Sequence, residues 1–371
     1  MAICKRCIVD STVKGFHKTE KGCNFCDEYF LREKKYNKTK KLSKSELNKL
    51  VEKIKKSSRN SKYDCIIGVS GGIDSSWTLV KAVEMGLKPL AVHMDNSWNS
   101  ELCQNNIKNL IKTLGVDFIT YVIEWDEYKA LMNAFFEADV IDIELLYDNA
   151  FLSVDFSYCI KNKVKYMLSG ENHATEGMPL PRDWNWFKLD AWNIRAIAKK
   201  YGNVKISSFP ITGIRDFFYF RYFKRLNWIS LLDYIGYDKN EALRILIEKY
   251  KYKPYPQKHW ESLFTRFYQG YILPEKFKVD KRMFHLSNLI LSNQITREEA
   301  LKEFNKPAYP SKELLNNDIN YFIRKMEWTR DKLDDYIKRI PVPHDQYKSS
   351  RKIFEVFTKK MSFLKNLFYK K

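Results

Sequence analysis

Ser70-Gly71-Gly72-Ile73-Asp74-Ser75-Ser76 places two glycines, three hydroxyls and a carboxylate between an apolar run and a helical pattern. Adjacent glycines allow a tight turn that points backbone N–H groups inward. Those amides, the hydroxyls of Ser70, Ser75 and Ser76, and the start of a helix together make a cradle for phosphate. Two common phosphate loops are excluded. No lysine follows the glycines as in Gly-x4-Gly-Lys-Ser/Thr, and Gly-x-Gly-x-x-Gly is missing. A bare glycine turn at a strand end is the plainer reading, and it leaves the clustered hydroxyls and carboxylate unexplained.

A second constellation is Cys4-x2-Cys7 and Cys23-x2-Cys26, with fifteen residues between the pairs. Two such knuckles supply four thiolates and close a tetrahedron, so a bound zinc would be structural. A segment this short cannot fold on its apolar core, and the metal would supply its stability. An iron–sulfur cluster stays open as the alternative, because ligand type alone does not decide. Cys65, Cys103 and Cys159 are singletons, Cys65 within a strand pattern and expected in the core. None of the three sits in a glutaminase nucleophile elbow, so no ammonia-generating domain is expected.

Elements that could position these groups follow in order. Asp64–Val69 reads as a buried strand, Trp77–Met85 as a helix stopped by Gly86, and Pro89–Met94 as a second strand ending at Asp95-Asn96. Cys103–Leu114 is a helical pattern closed by Gly115. Asp117–Ile123 and Val164–Leu168 are a third and a fourth strand, the last followed by Ser169-Gly170-Glu171-Asn172. Strands alternating with helices predict an α/β fold with a parallel sheet, whose ligands bind at the carboxyl ends of the strands. Ahead of it, Leu42, Leu47, Leu50, Val51 and Ile54 form an amphipathic stripe. After about residue 236 helical spacing dominates, over Ala242–Tyr250, Glu298–Phe304 and Asp318–Arg339, with breaks at Pro254, Pro256, Pro307 and Pro310. The expected organisation is a four-cysteine module over 1–27, a basic helical linker over 28–60, a nucleotide domain over 61–235 and a helical region over 236–371. No internal repeat is visible.

Composition bounds the partners. The 371 residues are 44% hydrophobic, which excludes a wholly disordered chain. No run of eighteen apolar residues predicts a membrane span, and no apolar signal region follows the first methionine, so a cytoplasmic protein is expected. Net charge is +20, half of it within residues 1–60, which hold 17 Lys+Arg against 7 Asp+Glu. That balance favours polyanions: RNA, an anionic membrane or phosphorylated small molecules.

The Ser-Gly-Gly-Ile-Asp-Ser loop resembles the pyrophosphate loop, SGGxDS, of the N-type ATP pyrophosphatases (the PP-loop superfamily). These enzymes cleave ATP between the α and β phosphates and form an adenylated intermediate. Together with Cys4-Lys5-Arg6-Cys7, the segment Ser169–Pro179, Arg266-Phe267, His285–Ile290 and Ile295–Leu301, the loop is similar to the N-acetyl sugar amidotransferases of bacterial surface-glycan and O-antigen synthesis. The resemblance runs from the first knuckle to about residue 305. It implies ATP bound by Ser70, Gly71, Gly72, Ile73, Asp74, Ser75 and Ser76, with His93 and Asp95 beside the adenosine. Gly170 and Asn172 would close the site from the other side. Asp74 would hold magnesium, and Asp74, Ser70 and Glu171 would act in catalysis.

The implied acceptor is a UDP-linked N-acetyl sugar whose acetamido oxygen is replaced by ammonia nitrogen. A separate glutaminase and cyclase-like pair would supply the ammonia. Arg182, Lys188 and Arg195, set among Trp184, Trp186 and Trp192, are candidate acceptor ligands, although aromatic core and a solvated basic face explain them equally. The rival is a tRNA thiolase or lysidine synthetase with the same loop. No Cys-x-x-Cys lies beyond residue 26 for thiolase chemistry, and nucleic acid is not the expected partner. Phe354, Phe357, Met361, Leu364 and Phe368, with Lys359, Lys360, Lys365, Lys370 and Lys371 among them, form a basic amphipathic stripe suited to a partner, the protein body or an anionic membrane.

Overall fold

In a computed structural model the structure describes residues 2–36, 41–202, 205–256 and 260–358. A two-stranded ribbon, β1 (Lys18–Thr19) and β2 (Gly22–Cys23), opens the chain and leads into helix α1 (Asn24–Tyr36). Helix α2 (Lys44–Ser57) starts at a capping box, with the Ser43 hydroxyl accepting from the Glu46 amide and the Glu46 carboxylate accepting from the Ser43 amide. From its stripe, Val51 and Ile54 are buried.

Five parallel strands form the sheet: β3 (Cys65–Gly68), β4 (Pro89–Asp95), β5 (Asp117–Val122), β6 (Tyr166–Ser169) and β7 (Asn227–Ser230), in the order β5-β4-β3-β6-β7. Four of these strands are legible in the sequence. The fifth, β7, is a four-residue edge strand without a continuous apolar run. Helices α3 (Ile73–Glu84), α4 (Glu101–Leu114), α5 (Trp125–Glu137) and α6 (Leu145–Lys161) connect the strands. The last two fall in a stretch to which the sequence assigns no element.

Alternation along β3 splits the core in two. Cys65, Ile67 and Val69 face one hydrophobic cluster with Trp77, Leu79, Leu110 and Leu246. Ile66 faces the other, which extends through Phe135, Phe156 and Met167 to Phe284 and Phe322. Cys65 is a core residue, as expected from its place in the strand.

Strand order reverses direction between β3 and β6, the place where open α/β sheets hold ligands in a crevice at the carboxyl ends of their strands. The glycine loop leaves β3. Short helix α7 (His173–Glu176) follows β6. Beyond them come α8 (Ala191–Ile197), α9 (Ile214–Phe218), α10 (Leu232–Ile235) and α11 (Lys239–Tyr250). The C-terminal region holds α12 (Leu263–Phe267), α13 (Arg282–Leu291), α14 (Arg297–Phe304), α15 (Lys312–Met326) and α16 (Arg330–Lys338). The single helix expected over Asp318–Arg339 is two helices, because Glu327 takes φ +56° and Thr329 caps a new start. Residues 351–358 are helical, and Phe354 and Phe357 pack on Phe218. The rest of that stripe, from Lys359 onward, lies outside the described residues. Among the described residues no helix is long and apolar enough to cross a membrane.

Candidate active site

The phosphate cradle begins one turn earlier than the apolar pattern suggests. Helix α3 starts at Ile73, so Asp74, Ser75 and Ser76 form its first turn, and no side chain caps that end. First-turn amides lack partners within a helix, and the helix dipole adds positive character there. Gly71 takes φ +81°, a conformation that favours glycine, and an added Cβ would stand 2.6 Å from the Cys103 sulfur. The Gly71 carbonyl is turned away from the cradle, accepting from the hydroxyls of Tyr252 (3.0 Å) and Tyr255 (3.2 Å). Cys103 donates to the Ser70 carbonyl at 3.2 Å. Burial first, and the Glu261 charge second, push that thiol up to about 12, so it stays protonated as the donor. The Ser70 and Gly71 carbonyls are thus held outward, while the loop's own hydroxyls brace the turn: the Ser70 amide donates to Ser75 Oγ at 3.2 Å and the Gly72 amide to Ser70 Oγ at 3.3 Å.

Gly170 closes the other side. A Cβ there would lie 2.7 Å from the Ser75 amide nitrogen, so only glycine lets the β6 loop touch the start of α3. Asn172 caps α7, its Oδ1 accepting from the Thr175 amide at 2.9 Å. Thr175 then donates to Asp74 Oδ2 at 3.3 Å, and Tyr237 donates to Asp74 Oδ1. Burial first, and then the charges of Asp74 and, more weakly, Glu176, raise the Tyr237 phenol well above its ordinary value. Two carboxylates from different elements therefore act on one phenol. Glu176 is exposed, as is Glu171 at the strand end. Asp74 and Glu176 are oxygen ligands of the hard type that magnesium takes.

His93 and Asp95 end β4 as expected, inside a closed network. Asn99 donates to His93 Nε2 at 2.9 Å and to Asp95 Oδ1 at 3.0 Å, which leaves His93 Nδ1–H to donate to the Val69 carbonyl at 2.7 Å. Burial pulls the imidazole below its ordinary value and keeps it neutral. The Val69 carbonyl that His93 holds immediately precedes the loop.

Candidate acceptor ligands have separate settings. The Lys188 ammonium lies 2.7 Å from Asp142 and 2.8 Å from Asp148. Burial would pull it down, but the two carboxylates outweigh burial and hold it charged. Arg182 and Arg195 are on the surface. Trp184 packs edge-on against Phe284, and Trp186 stacks on His344. Both rings are engaged within the protein.

Sequence reasoning missed Thr175, Glu176, Tyr237, Tyr252, Tyr255 and Glu261. A Cβ on Gly72 would come within 3.3 Å of Glu261 Oε1, which places that carboxylate at the loop. Thr175 and Glu176 lie in the quoted segment after β6, where the short helix offers a signal. The tyrosines come from distant chain positions and offer none.

The four cysteines are buried, with Sγ–Sγ distances of 3.8 Å (Cys4–Cys26), 3.9 Å (Cys7–Cys23) and 3.7 Å (Cys23–Cys26). A tetrahedron with metal–sulfur bonds of about 2.3 Å has edges of about 3.8 Å. The spacing fits one tetrahedral ion and is too tight for a multi-iron cluster. The module also reaches the crevice. Arg297 donates to the carbonyls of Cys4 (3.0 Å) and Cys7 (3.1 Å), and Ser287 on α13 accepts from the Ile8 amide. The neighbouring Asn288 accepts from the Met178 amide at 2.7 Å, just past α7. Tyr29 lies with its ring 4.2 Å from His173, the first residue of α7.

Comparison with known proteins divides the chain. Residues 43–179 match a family model described as NAD synthase. Residues 261–361 match one described as LPS biosynthesis protein WbpG-like, C-terminal domain. No curated protein matches the chain. Among solved structures, NMN synthetase from Francisella tularensis aligns at 18% identity over 59% of this chain and 100% of that one, with TM-score 0.30. The NH3-dependent NAD synthetase from Campylobacter jejuni subsp. jejuni NCTC 11168, in complex with the nitrate ion, aligns at 15% identity over 73% and 100%, with TM-score 0.29.

Proposed function

We propose, for a chain that joins a PP-loop domain of the NAD synthase kind to a WbpG-like C-terminal domain, the ATP-dependent amidation of a UDP-linked N-acetyl sugar in lipopolysaccharide or related surface-glycan synthesis. The observation that carries the chemistry is the uncapped start of α3, with Asp74 on it held by Thr175 and Tyr237. That arrangement suits the release of pyrophosphate.

The acetamido carbonyl oxygen attacks the α-phosphorus of ATP. The bond from that phosphorus to the bridging oxygen breaks, and pyrophosphate leaves. Ammonia then adds to the imidate carbon, AMP departs with the former carbonyl oxygen, and a proton passes to solvent. The product is an acetamidino group.

Loop amides and the Ser70 and Ser75 hydroxyls stabilise charge developing on the leaving pyrophosphate. Asp74, with Glu176 on the neighbouring α7, would hold magnesium, which when bound neutralises phosphate charge. Glu171, exposed just past the end of β6, would orient the acceptor. The four cysteines hold zinc as a structural ion.

Ammonia comes from a separate glutaminase partner. At neutral pH the free base is scarce and the adenylated sugar is open to hydrolysis, so delivery within a docked complex raises local concentration and excludes water. The test is the nitrogen source. The isolated protein should form AMP and amidated sugar from ammonium salts, faster as pH rises, and use glutamine poorly until a glutaminase is added. Efficient turnover of glutamine by the pure chain contradicts the two-component reading.

A further inference from the structure

Thr175 also lines a cavity of about 200 Å³. Its far wall belongs to the C-terminal region. Trp260, Leu286 and Leu289 give it apolar surface, and Arg266, Gln269 and His285 are polar residues of its lining. Thr175 is the shared residue, since its hydroxyl bonds Asp74 while its side of α7 closes the cavity.

Size and charge decide what fits. Pockets for whole drug-sized ligands run from roughly 300 to 1,000 Å³. This one is smaller, large enough for one substituted ring and too small for a nucleotide sugar. Of the Lys and Arg residues in its lining, Arg266, Lys281 and Arg282 are paired with carboxylates. Arg266 is clamped by Asp318 at 2.7 and 2.5 Å, and Tyr309 supports that carboxylate at 3.0 Å. Lys281 bonds Glu144 at 2.7 Å, and Gln269 bonds the same carboxylate at 3.0 Å. Burial would pull Glu144 up, but Lys281 outweighs burial and keeps it ionised below its usual range. Arg282 is held by Asp280. Ion pairs locked in this way present oriented N–H groups and carboxylate oxygens, which suit hydroxyls and an amide. A diphosphate needs free positive charge.

We infer that this cavity is the subsite for the acetamido-bearing sugar ring, seated between Trp260 and α13, with the nucleotide extending outside it. An indole beside Leu286 and Leu289 offers an apolar wall for the ring's C–H face. Placement beside Thr175 brings the ring next to the residue that orients Asp74. The C-terminal region would then select the sugar, and the sheet domain would activate ATP. The inference rests on the proposed amidation.

The test uses full-length protein with UDP-N-acetylglucosamine, UDP-N-acetylgalactosamine and UDP-N-acetylmannosamine as probes. AMP formation with ammonium and calorimetric binding of Mg-ATP are measured in parallel. Leu286→Trp fills the cavity, and Trp260→Ala removes its wall. Each should raise KM for the active sugar about tenfold or more, the size of effect a reshaped apolar pocket gives, with Mg-ATP affinity unchanged. Retained Mg-ATP binding also shows that a variant is folded. If wild type turns over a probe and both variants do so with unchanged KM, the subsite is overturned while the amidation stands. If wild type binds Mg-ATP yet makes no AMP with any probe, the amidation reading falls and the subsite with it.

Discussion

The glycine loop and the C-terminal cavity face each other across α7, and they are built in opposite ways. The loop is local. Strand, turn and helix are contiguous from Cys65 to Glu84, and most of its geometry follows from residue types in that stretch. The cavity is assembled from positions between Thr175 and Ala308 that no short-range pattern links. Nucleotide activation can be carried by a portable motif. Acceptor recognition depends on how two regions pack, so it can change without disturbing the loop.

The largest effect should come from the local half. Asp74→Ala should lower AMP formation about 1,000-fold, at the upper end of the cost of losing a transition-state stabiliser, while thermal unfolding stays near wild type. Near-normal turnover at saturating magnesium would break the assignment of the loop.

The metal module sharpens the contrast, because it serves the crevice from outside the sheet. Cys23→Ser should lower unfolding stability by about 4 kcal/mol or more. Hydrogen exchange should rise in residues 173–178 as well as in the module, since Tyr29 and α13 join the two. Exchange that rises only within residues 2–36 would show the module to be independent.

A third effect lies in the buried network behind Lys188. His344 Nδ1 donates to Asn193 at 2.7 Å and Nε2 accepts from the Asp142 amide at 3.2 Å, so the fold needs the neutral ring. Burial lowers its pKa to about 4 from 6.5. The unfolded chain takes up this proton near pH 6.5 and the fold only near 4. Stability is therefore full above 6.5 and falls with decreasing pH across that window, by about 3 kcal/mol in all. Imidazole carbon shifts in NMR should show no His344 titration above about pH 5, and a midpoint near 6.5 would refute the argument.

The smallest effect is Tyr237→Phe. Losing one hydrogen bond to Asp74 should weaken Mg-ATP binding by about 1 kcal/mol, roughly fivefold. An unchanged dissociation constant would remove Tyr237 from the site.

What the sequence made legible follows the same division. Parallel strands β3, β4, β5 and β6, the loop after β3 and the cysteine tetrahedron are all written in short spacings. β7 escaped because it is four residues long and half-buried throughout. Helix α6 escaped because it is buried on several sides, which blurs a helical stripe, whereas α5 carries a stripe of Tyr128, Leu131, Met132 and Phe135 that is legible and was passed over. Lys188 looked like a free cation, and only the fold brings Asp142 and Asp148 to it. Tyr237 and Glu261 reach the loop from far along the chain, a relation no local pattern records.

The central claim is that the acetamido oxygen is adenylated, and isotope transfer tests it most directly. A UDP-linked N-acetyl sugar carrying ¹⁸O in its acetamido carbonyl would be incubated with ATP, magnesium and ammonium, and the products weighed by mass spectrometry. The account predicts that AMP acquires the label and that the amidated sugar has lost it. Unlabelled AMP, or release of ADP in place of AMP, would contradict it.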